Sequence, residues 1–225
     1  LSMVLNKMKI KSIPLLGWQV PIITDSSYEK AIILNINKDN ILKYLVEYDV
    51  VVLAGFQGIN TEGKITSIGR GGSDTTAVAI ASSLNAERCD IFSDVDGVYS
   101  SDPAIVKNAK KIDKISYEEM LEMSSMGAKV LHTRSVELAM KNNLTLQVLS
   151  SLTNQEGTFI VNEKKLIEKE VVSGVSYSKD ESKITISGIP DKPGIAAKIF
   201  KILSRNNINI DMIVQNISQD GISAN

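Results

Sequence analysis

Several residue types are nearly absent from this chain, and each shortage excludes a class of protein. Cys89 is the only cysteine, so no internal disulfide can form, and a reducing, cytoplasmic location is expected. The formal net charge of -1 gives no long-range attraction for nucleic acid or for an anionic membrane. No run of about 18 apolar residues occurs, so no membrane-spanning helix is predicted. His132 is the only histidine and has no cysteine near it in sequence, which argues against a metal site.

The residues that are present favour an α/β fold. Short β-branched runs at 50–54, 89–92 and 145–149 predict strands, the first of them buried on both faces. Helical patterns cover 1–12, 73–84, 116–123 and 128–141. The alternation predicts a largely parallel sheet covered by helices, with ligands bound beyond the carboxyl ends of the strands. The residues expected in the core include Cys89, Met120, Met123 and Met126.

Two helix starts carry specific signals. The helix at 73–84 opens with Ser, Asp and Thr residues, which are good helix caps. The helix at 116–123 opens with Ser116 and, three residues later, Glu119, which is the spacing of a capping box.

The composition changes in the last third of the chain. Residues 162–170 (NEKKLIEKE) are highly charged and predict a linker between domains. Residues 183–188 alternate like a half-exposed strand, residues 195–206 form an amphipathic helix, and residues 209–218 return to strand character. We therefore predict one domain at 1–161, a linker at 162–170 and a second, incomplete module at 171–225.

A glycine-rich turn at 69–76 (GRGGSDTT) is the strongest local signal. Three glycines in four positions let the backbone approach a ligand closely, and the following helix presents unpaired N–H groups to an anion. Arg70 adds a planar guanidinium that suits a carboxylate. The structural alternative is a glycine turn in which Ser73 or Asp74 merely caps the helix, and the pattern alone leaves both interpretations open.

A second loop, 93–103 (SDVDGVYSSDP), follows a predicted strand. Its aspartates, hydroxyls and glycine suit a nucleotide with its Mg²⁺, because that ion prefers a few carboxylates together with phosphates and water. The alternative is a turn-forming Asp/Gly loop with no ligand. Lys129 follows Gly127 at the predicted start of a helix, where it could reach phosphate oxygens or simply face solvent.

Taken in order, five segments resemble the aspartate kinases. They are 16–19 (LGWQ), 54–58 (AGFQG), 69–79 (GRGGSDTTAVA), 93–103 and 127–131 (GAKVL). The resemblance implies an amino-acid-kinase αβα sandwich with a mainly parallel sheet, followed by a partial ferredoxin-like α+β ACT domain that binds amino-acid effectors. It also implies transfer of the ATP γ-phosphate to the side-chain carboxylate of L-aspartate, in the pathway to lysine, threonine and methionine.

The resemblance also implies the roles of individual residues. Aspartate binding falls to Arg70, Gly71, Gly72 and Ser73, with Arg70 and Asp74 catalytic and Asp74 ordering the site rather than contacting the anionic substrate. ATP, accompanied by Mg²⁺ and without a separate protein metal site, is assigned to Ser93, Asp94, Tyr99, Ser100, Ser101, Asp102, Pro103, Ala104, Lys129 and Val130. The effector, lysine or threonine or both, is assigned to Asp191, Lys192, Pro193, Gly194, Ile195, Ala196, Asn209, Ile210, Asp211 and Gln215.

Some features depart from the family pattern. The Lys-Phe-Gly-Gly segment of the family is not in this sequence, and Ala104 stands where the family has arginine. The expectation is a piece of a longer enzyme, shortened at both ends and inactive by itself. Two alternatives stay open: a non-catalytic amino-acid-binding regulatory subunit, and a kinase of the same fold that acts on glutamate derivatives or a nucleoside monophosphate. Open sheet edges in the C-terminal module favour a homodimer or higher oligomer.

Overall fold

The chain forms two compact units. The computed structural model describes residues 1–165, 172–177, 182, 184–186, 188–190, 192–206, 210, 213–214 and 223–224. The first unit is Leu1–Ser178 and the second is Lys179–Asn225. The division falls after Ser178, whereas the sequence placed the linker at 162–170. Of that linker, Glu163–Lys165 form a short 3-10 turn, and 166–170 lie outside the described residues.

Five of the six helices among the described residues were predicted, with bounds that differ at some ends, whereas the helix at Lys38–Glu47 was not. The six helices are α1 (Ser2–Lys7), α2 (Lys38–Glu47), α3 (Gly72–Ser83), α4 (Tyr117–Ser125), α5 (Thr133–Lys141) and α6 (Ile195–Arg205). The capping box predicted for α4 is confirmed, since Ser116 accepts from the Glu119 amide and Glu119 accepts from the Ser116 amide. The pattern that predicted a helix over 128–141 was wrong at its start. Gly127 has φ 110, and the helix begins only after His132, which is its N-cap.

The strands are short, and their pairing is mixed. Their bounds are β1 (Ser12–Leu15), β2 (Ile22–Thr24), β3 (Ile33–Ile36), β4 (Val50–Leu53), β5 (Gln57–Ile59), β6 (Ile65–Ser67), β7 (Arg88–Ser93), β8 (Val98–Tyr99), β9 (Lys111–Ile112), β10 (Lys114–Ser116), β11 (Thr145–Ser150), β12 (Thr158–Val161), β13 (Ile189–Pro190) and β14 (Ser223–Ala224). The longest ladders, β7 with β11 and β1 with β4, are both parallel.

One four-stranded sheet organises the larger core. Its order is β10-β12-β11-β7, with only the β11–β12 pair antiparallel. The α3, α4 and α5 helices cover this sheet, and the fully buried side chains between them include Met120, Leu146 and Ile160. Burial of such side chains contributes roughly 1.5–3 kcal/mol each. A second sheet, β3-β2-β5-β6, precedes it along the chain.

The β4 strand and Met126 are less buried than the sequence predicted. The residues of β4 are all only partly buried, although their sequence predicted burial on both faces, because β4 pairs with β1 alone among the described strands. Met126 is 44% exposed rather than part of the core, since α4 has already ended at Ser125. Cys89, Met120 and Met123 are buried as predicted.

In the second unit, α6 confirms the helix predicted at 195–206, and β13 pairs antiparallel with β14. Of the predicted strand at 183–188, residues 184–186 and 188 are described and do not belong to a strand. No helix among the described residues is long and apolar enough to span a membrane.

Candidate functional site

The connectivity brings two helix N-termini close to the carboxyl ends of two neighbouring strands in the four-stranded sheet. The β7 and β11 strands run parallel and end in register at Ser93 and Ser150. A short connection, 84–87, links α3 to β7, so the helix runs back against the strand that follows it. The helix is about 18 Å long and the strand about 20 Å, so the α3 N-terminus lies near the carboxyl end of β7. The same argument applies to α5 and β11.

The first turn of α3 is built to present its amide groups. Its N-cap is Gly71, in the left-handed conformation with φ 67, and no side chain caps it. The alternative in which Ser73 or Asp74 caps the helix is therefore wrong. The Ser73 and Asp74 amides have no acceptor among the described residues. These free donors, with the positive end of the helix dipole, stabilise a bound anion.

Arg70 precedes this turn and is available to a ligand. Its side chain is exposed, and it has no ion pair or hydrogen bond within the part of the chain that the structure describes. A free guanidinium beside unpaired amides is a suitable partner for a carboxylate. The four predicted aspartate-binding residues, Arg70, Gly71, Gly72 and Ser73, are thus contiguous at one helix end.

Contacts from distant segments fix the shape of the glycine turn. A Cβ on Gly71 would lie 2.4 Å from the His132 Cβ, so only glycine fits against the start of α5. Gly72 is buried, and a Cβ there would lie 2.8 Å from the Phe56 ring. Thr76 Oγ1 donates to the Gly72 carbonyl at 2.6 Å and accepts from the Phe56 amide at 3.1 Å.

Arg134 is a site-building residue that the sequence analysis missed. Its guanidinium donates to the Ile68 carbonyl at 2.9 Å and to the Ala31 carbonyl at 2.7 Å. It thereby joins the start of α5 to the segment before the glycine turn and to the loop after β2. One sequence signal could have revealed it, because a cation in the first turn of a helix opposes the helix dipole and needs other partners.

Asp74 sits in the first turn of α3 in a partly buried position. Burial raises the pKa of its carboxyl group, and this effect is opposed by a hydrogen bond from Ser73 and by the charge of His132. The Ser73 hydroxyl donates to Asp74 Oδ1 at 3.3 Å. Asp74 therefore orients the Ser73 hydroxyl at the start of α3, and the ordering role in a substrate site stays a prediction.

The second predicted loop begins at the carboxyl end of β7. The Ser93 hydroxyl donates to Asp94 Oδ1 at 3.0 Å, and Asp94 is exposed. The Tyr99 hydroxyl donates to Asp96 Oδ1 at 3.0 Å, and this hydrogen bond raises the pKa of the Tyr99 phenol. Lys111 also faces Asp96, at 3.9 Å. The Asp96 carboxylate is thus engaged by Tyr99 and Lys111, whereas the Asp94 carboxylate is accessible to a ligand.

Beyond Tyr99 the chain forms an exposed turn. Asp102 Oδ1 accepts from the Ala104 amide at 2.8 Å, and its carbonyl accepts from the Val106 amide at 2.9 Å. Pro103 and Ala104 are exposed. The Lys129 and Val130 pair lies in the loop between α4 and α5, not at a helix start, and Lys129 is exposed. No group of three or more His, Cys, Asp or Glu side chains placed to hold a metal occurs among the described residues.

Comparison with known proteins agrees with this architecture. A family model described as "Amino acid kinase family" matches residues 1–150, which is more than half of the chain. The chain belongs to the amino acid kinase family. A second model, described as "ACT domain", matches residues 184–224 of this family member. The predicted family resemblance and α/β fold class are confirmed.

Individual relatives are named as kinases of aspartate. The chain is 50% identical to an aspartate kinase of Pseudomonas putida over 221 residues, covering 98% of this chain and 54% of that protein. A crystal structure of E. coli aspartokinase III in complex with aspartate and ADP matches with TM-score 0.70 and 27% identity, covering 99% of this chain and 50% of that one. The same enzyme in complex with lysine and aspartate gives TM-score 0.68 and 26% identity, covering 98% and 50%. The chain spans about half the length of the curated relatives it matches.

The predicted effector positions of this chain are only partly described. The α6 helix begins after Gly194, whose φ is 92, and no side chain caps it. Lys192, Pro193 and Ala196 are exposed and Ile195 is half-buried, whereas Ile210 is 41% exposed. The other four predicted positions, Asp191, Asn209, Asp211 and Gln215, lie outside the described residues.

Proposed function

We propose that the full-length protein is an aspartate kinase, which converts ATP and L-aspartate to ADP and 4-phospho-L-aspartate. The proposal is supported by the relatives of that name and by the E. coli relative, which binds aspartate and ADP. The observation that carries it is the α3 N-terminus, where the Ser73 and Asp74 amides and the side chain of the preceding Arg70 have no partner among the described residues. Such a site selects a small anionic substrate without further machinery.

In this proposal the glycine turn binds aspartate, and the reaction requires no general base from that turn. Arg70 binds a carboxylate in two places, the glycines at 71 and 72 let the backbone approach the substrate, and the Ser73 and Asp74 amides, which have no acceptor among the described residues, donate to it. The attacking carboxylate is already ionised at neutral pH, because an ordinary Asp side chain has a pKa of about 3.9, so no general base is required. Catalysis then consists of aligning the carboxylate with the γ-phosphate and neutralising charge on the transferring group.

The nucleotide is proposed to bind at the neighbouring loop. Ser93 and Asp94 contact it, residues 99–104 wrap it, and Lys129 with Val130 completes the pocket. This assignment is supported by the position of Ser93 at the carboxyl end of β7, beside the α3 N-terminus. Mg²⁺ would be held by the ATP phosphates and the accessible Asp94 carboxylate, since it needs only one or two carboxylates from a protein, and it would neutralise phosphate charge.

Regulation is proposed to use the ACT module. Lysine, threonine or both would bind around the start of α6 and the other predicted effector positions, and the E. coli relative has been crystallised with lysine. We further propose a homodimer or higher oligomer, a cytoplasmic location consistent with the single free cysteine, and a place at the start of lysine, threonine and methionine synthesis.

The test is calorimetric titration of L-aspartate and Mg-ATP into the full-length protein and its Arg70→Ala variant. Loss of a charge-assisted contact is expected to weaken aspartate binding by roughly 1.5–3 kcal/mol, about ten- to 150-fold. ATP binding should be unchanged. Arg88→Ala is the matched control, because Arg88 lies at the opposite end of β7 and is already paired with Asp90 at 2.6 Å.

The outcomes separate the proposal from its main alternative. Equal aspartate affinity in the Arg70→Ala variant and in the wild-type protein would remove Arg70 from the site. A protein that binds lysine or threonine but neither aspartate nor Mg-ATP is a regulatory subunit rather than a kinase.

A further inference from the structure

The last described segment of the first unit, residues 172–177, lies against the predicted nucleotide loop. The Val175 amide donates to the Ser100 carbonyl at 2.8 Å. The Tyr177 hydroxyl donates to Asp102 Oδ2 at 3.3 Å. Ser100 and Asp102 belong to the residues proposed to wrap the nucleotide, and none of the residues 172–177 was predicted from sequence to belong to the site.

The same segment is fixed on its other side to α4. The Ser173 hydroxyl donates to Glu119 Oε1 at 2.5 Å. The second oxygen of that carboxylate accepts from the Ser116 amide at 3.0 Å and from the Ser116 hydroxyl at 2.7 Å, as part of the capping box. A single carboxylate therefore joins the segment to the rigid start of α4.

Close packing at Gly174 completes the attachment. A Cβ at this position would lie 3.0 Å from the Met123 methyl carbon and 3.2 Å from the Ser100 carbonyl oxygen. Met123 belongs to α4, and that helix leads directly into the loop with Lys129 and Val130. The segment thus touches the 99–104 loop of the proposed nucleotide pocket and the helix that leads into the 127–130 loop.

The exposed turn at 101–106 has little else to hold it. Its own hydrogen bonds are local, and in them the amides of Ala104, Ile105 and Val106 donate to oxygen atoms of Asp102. Within the described part of the chain, two residues from outside this turn hydrogen-bond to it: the nearby Ala109, whose amide donates to the Val106 carbonyl at 2.9 Å, and Tyr177, which is distant in sequence. An exposed turn with few external contacts samples several conformations. The Tyr177–Asp102 hydrogen bond reduces their number, so a larger fraction of the protein is ready to bind a ligand.

We propose that residues 172–177 are a positioning segment for the nucleotide loop. Ser173 and Gly174 anchor the segment on α4, and Val175 and Tyr177 set the position of Ser100 and Asp102. The segment contacts neither the glycine turn nor Arg70 through any hydrogen bond among the described residues, so its effect is selective for the nucleotide. This inference rests on the proposed kinase function.

The test compares two double variants of the full-length protein. Ser173→Ala with Tyr177→Phe removes the Ser173–Glu119 and Tyr177–Asp102 hydrogen bonds. Ser125→Ala with Tyr48→Phe is the matched control, because these changes have the same chemistry and neither residue bonds to the segment or to the nucleotide loop. Mg-ATP and L-aspartate are titrated separately, and the melting temperature is recorded for each protein.

The segment variant is expected to bind Mg-ATP about three- to thirtyfold more weakly than the control, with aspartate affinity within about twofold of wild type. Gly174→Val, which pushes the segment away from Ser100 without removing a hydroxyl, should give the same selective loss. An unchanged ATP affinity in both variants, or parallel losses of both ligands with a lowered melting temperature, would overturn the positioning role. A wild-type protein that fails to bind Mg-ATP would overturn the kinase proposal, and this inference with it.

Discussion

Replacing Gly71 by alanine is expected to destabilise the fold and to weaken aspartate binding at the same time. Gly71 has φ 67, and a Cβ there would lie 2.4 Å from both Cβ and Cγ of His132. Two costs therefore add. The left-handed conformation costs a non-glycine residue about 1–2 kcal/mol. Forcing an extra methyl group into a packed contact costs about 1–3 kcal/mol more.

A second glycine separates these two costs. Gly63 has φ 76, close to that of Gly71, but nothing lies within 4 Å of an added Cβ. Gly63→Ala is thus expected to lose about 1–2 kcal/mol, the conformational cost alone. Gly71→Ala should lose about 2–5 kcal/mol in total. The difference between the two variants measures how firmly His132 is held against the glycine turn.

The assay is urea denaturation followed by circular dichroism, together with aspartate titration of each variant in the full-length protein. Gly71→Ala should shift the amides of α3 and weaken aspartate binding, whereas Gly63→Ala should leave binding unchanged because it lies in the turn before β6. Equal free energies of unfolding for the two variants would refute the reasoning. They would mean that His132 moves aside freely and that the contact does not define the turn.

Two further predictions concern ionisable groups. Burial raises the pKa of the Cys89 thiol to about 11, so native protein near pH 8 should react with a thiol reagent only through unfolding; labelling in native buffer as fast as in urea would contradict this. Burial also raises the pKa of the Asp74 carboxyl group above its ordinary value, so the folded state binds a proton at Asp74 more tightly than the unfolded chain does. The free energy of unfolding therefore falls as the pH rises from the unfolded-state pKa to the folded-state pKa. Asp74→Asn should therefore gain stability over wild type at neutral pH, and the gain should shrink as the pH falls towards about 4. Asp39→Asn, in the first turn of α2, is the control for the helix-dipole effect, and an equal change in the two variants would refute the burial argument.

Local patterns predicted the parts of this fold that depend on local interactions. The capping box at Ser116 and Glu119, the amphipathic α6 helix and the β7 and β11 strands all follow from residue spacing within one element. The prediction failed where a cap comes from an unusual residue. Glycine and histidine cap α3 and α5, so the Ser, Asp and Thr residues near the start of α3 and the helical pattern before Thr133 gave misleading bounds.

The geometry of the candidate site depends on contacts that no local pattern contains. Arg134 bonds to carbonyl groups 66 and 103 residues earlier in the chain, and Ser173 bonds to Glu119 across 54 residues. The sequence identified the two loops as candidates for ligand binding because their glycines and aspartates are contiguous. It could not predict which distant side chains hold those loops, since that depends on tertiary packing rather than on composition.

The two loops of the candidate site are held by different distant residues, and this affects the proposed phosphoryl transfer. Phosphoryl transfer between two bound substrates depends mainly on alignment, because the attacking carboxylate needs no activation. The glycine turn, proposed to bind aspartate, is held by His132 at the N-cap of α5 and by Arg134 in its first turn. The loop proposed to bind the nucleotide is held by residues 172–177. Because the two supports share no hydrogen bond among the described residues, a change in one should alter the affinity for one substrate alone. Residues that never touch a ligand would then control the two Michaelis constants independently, while the alignment of the two bound substrates, and with it the rate of transfer, would require both supports.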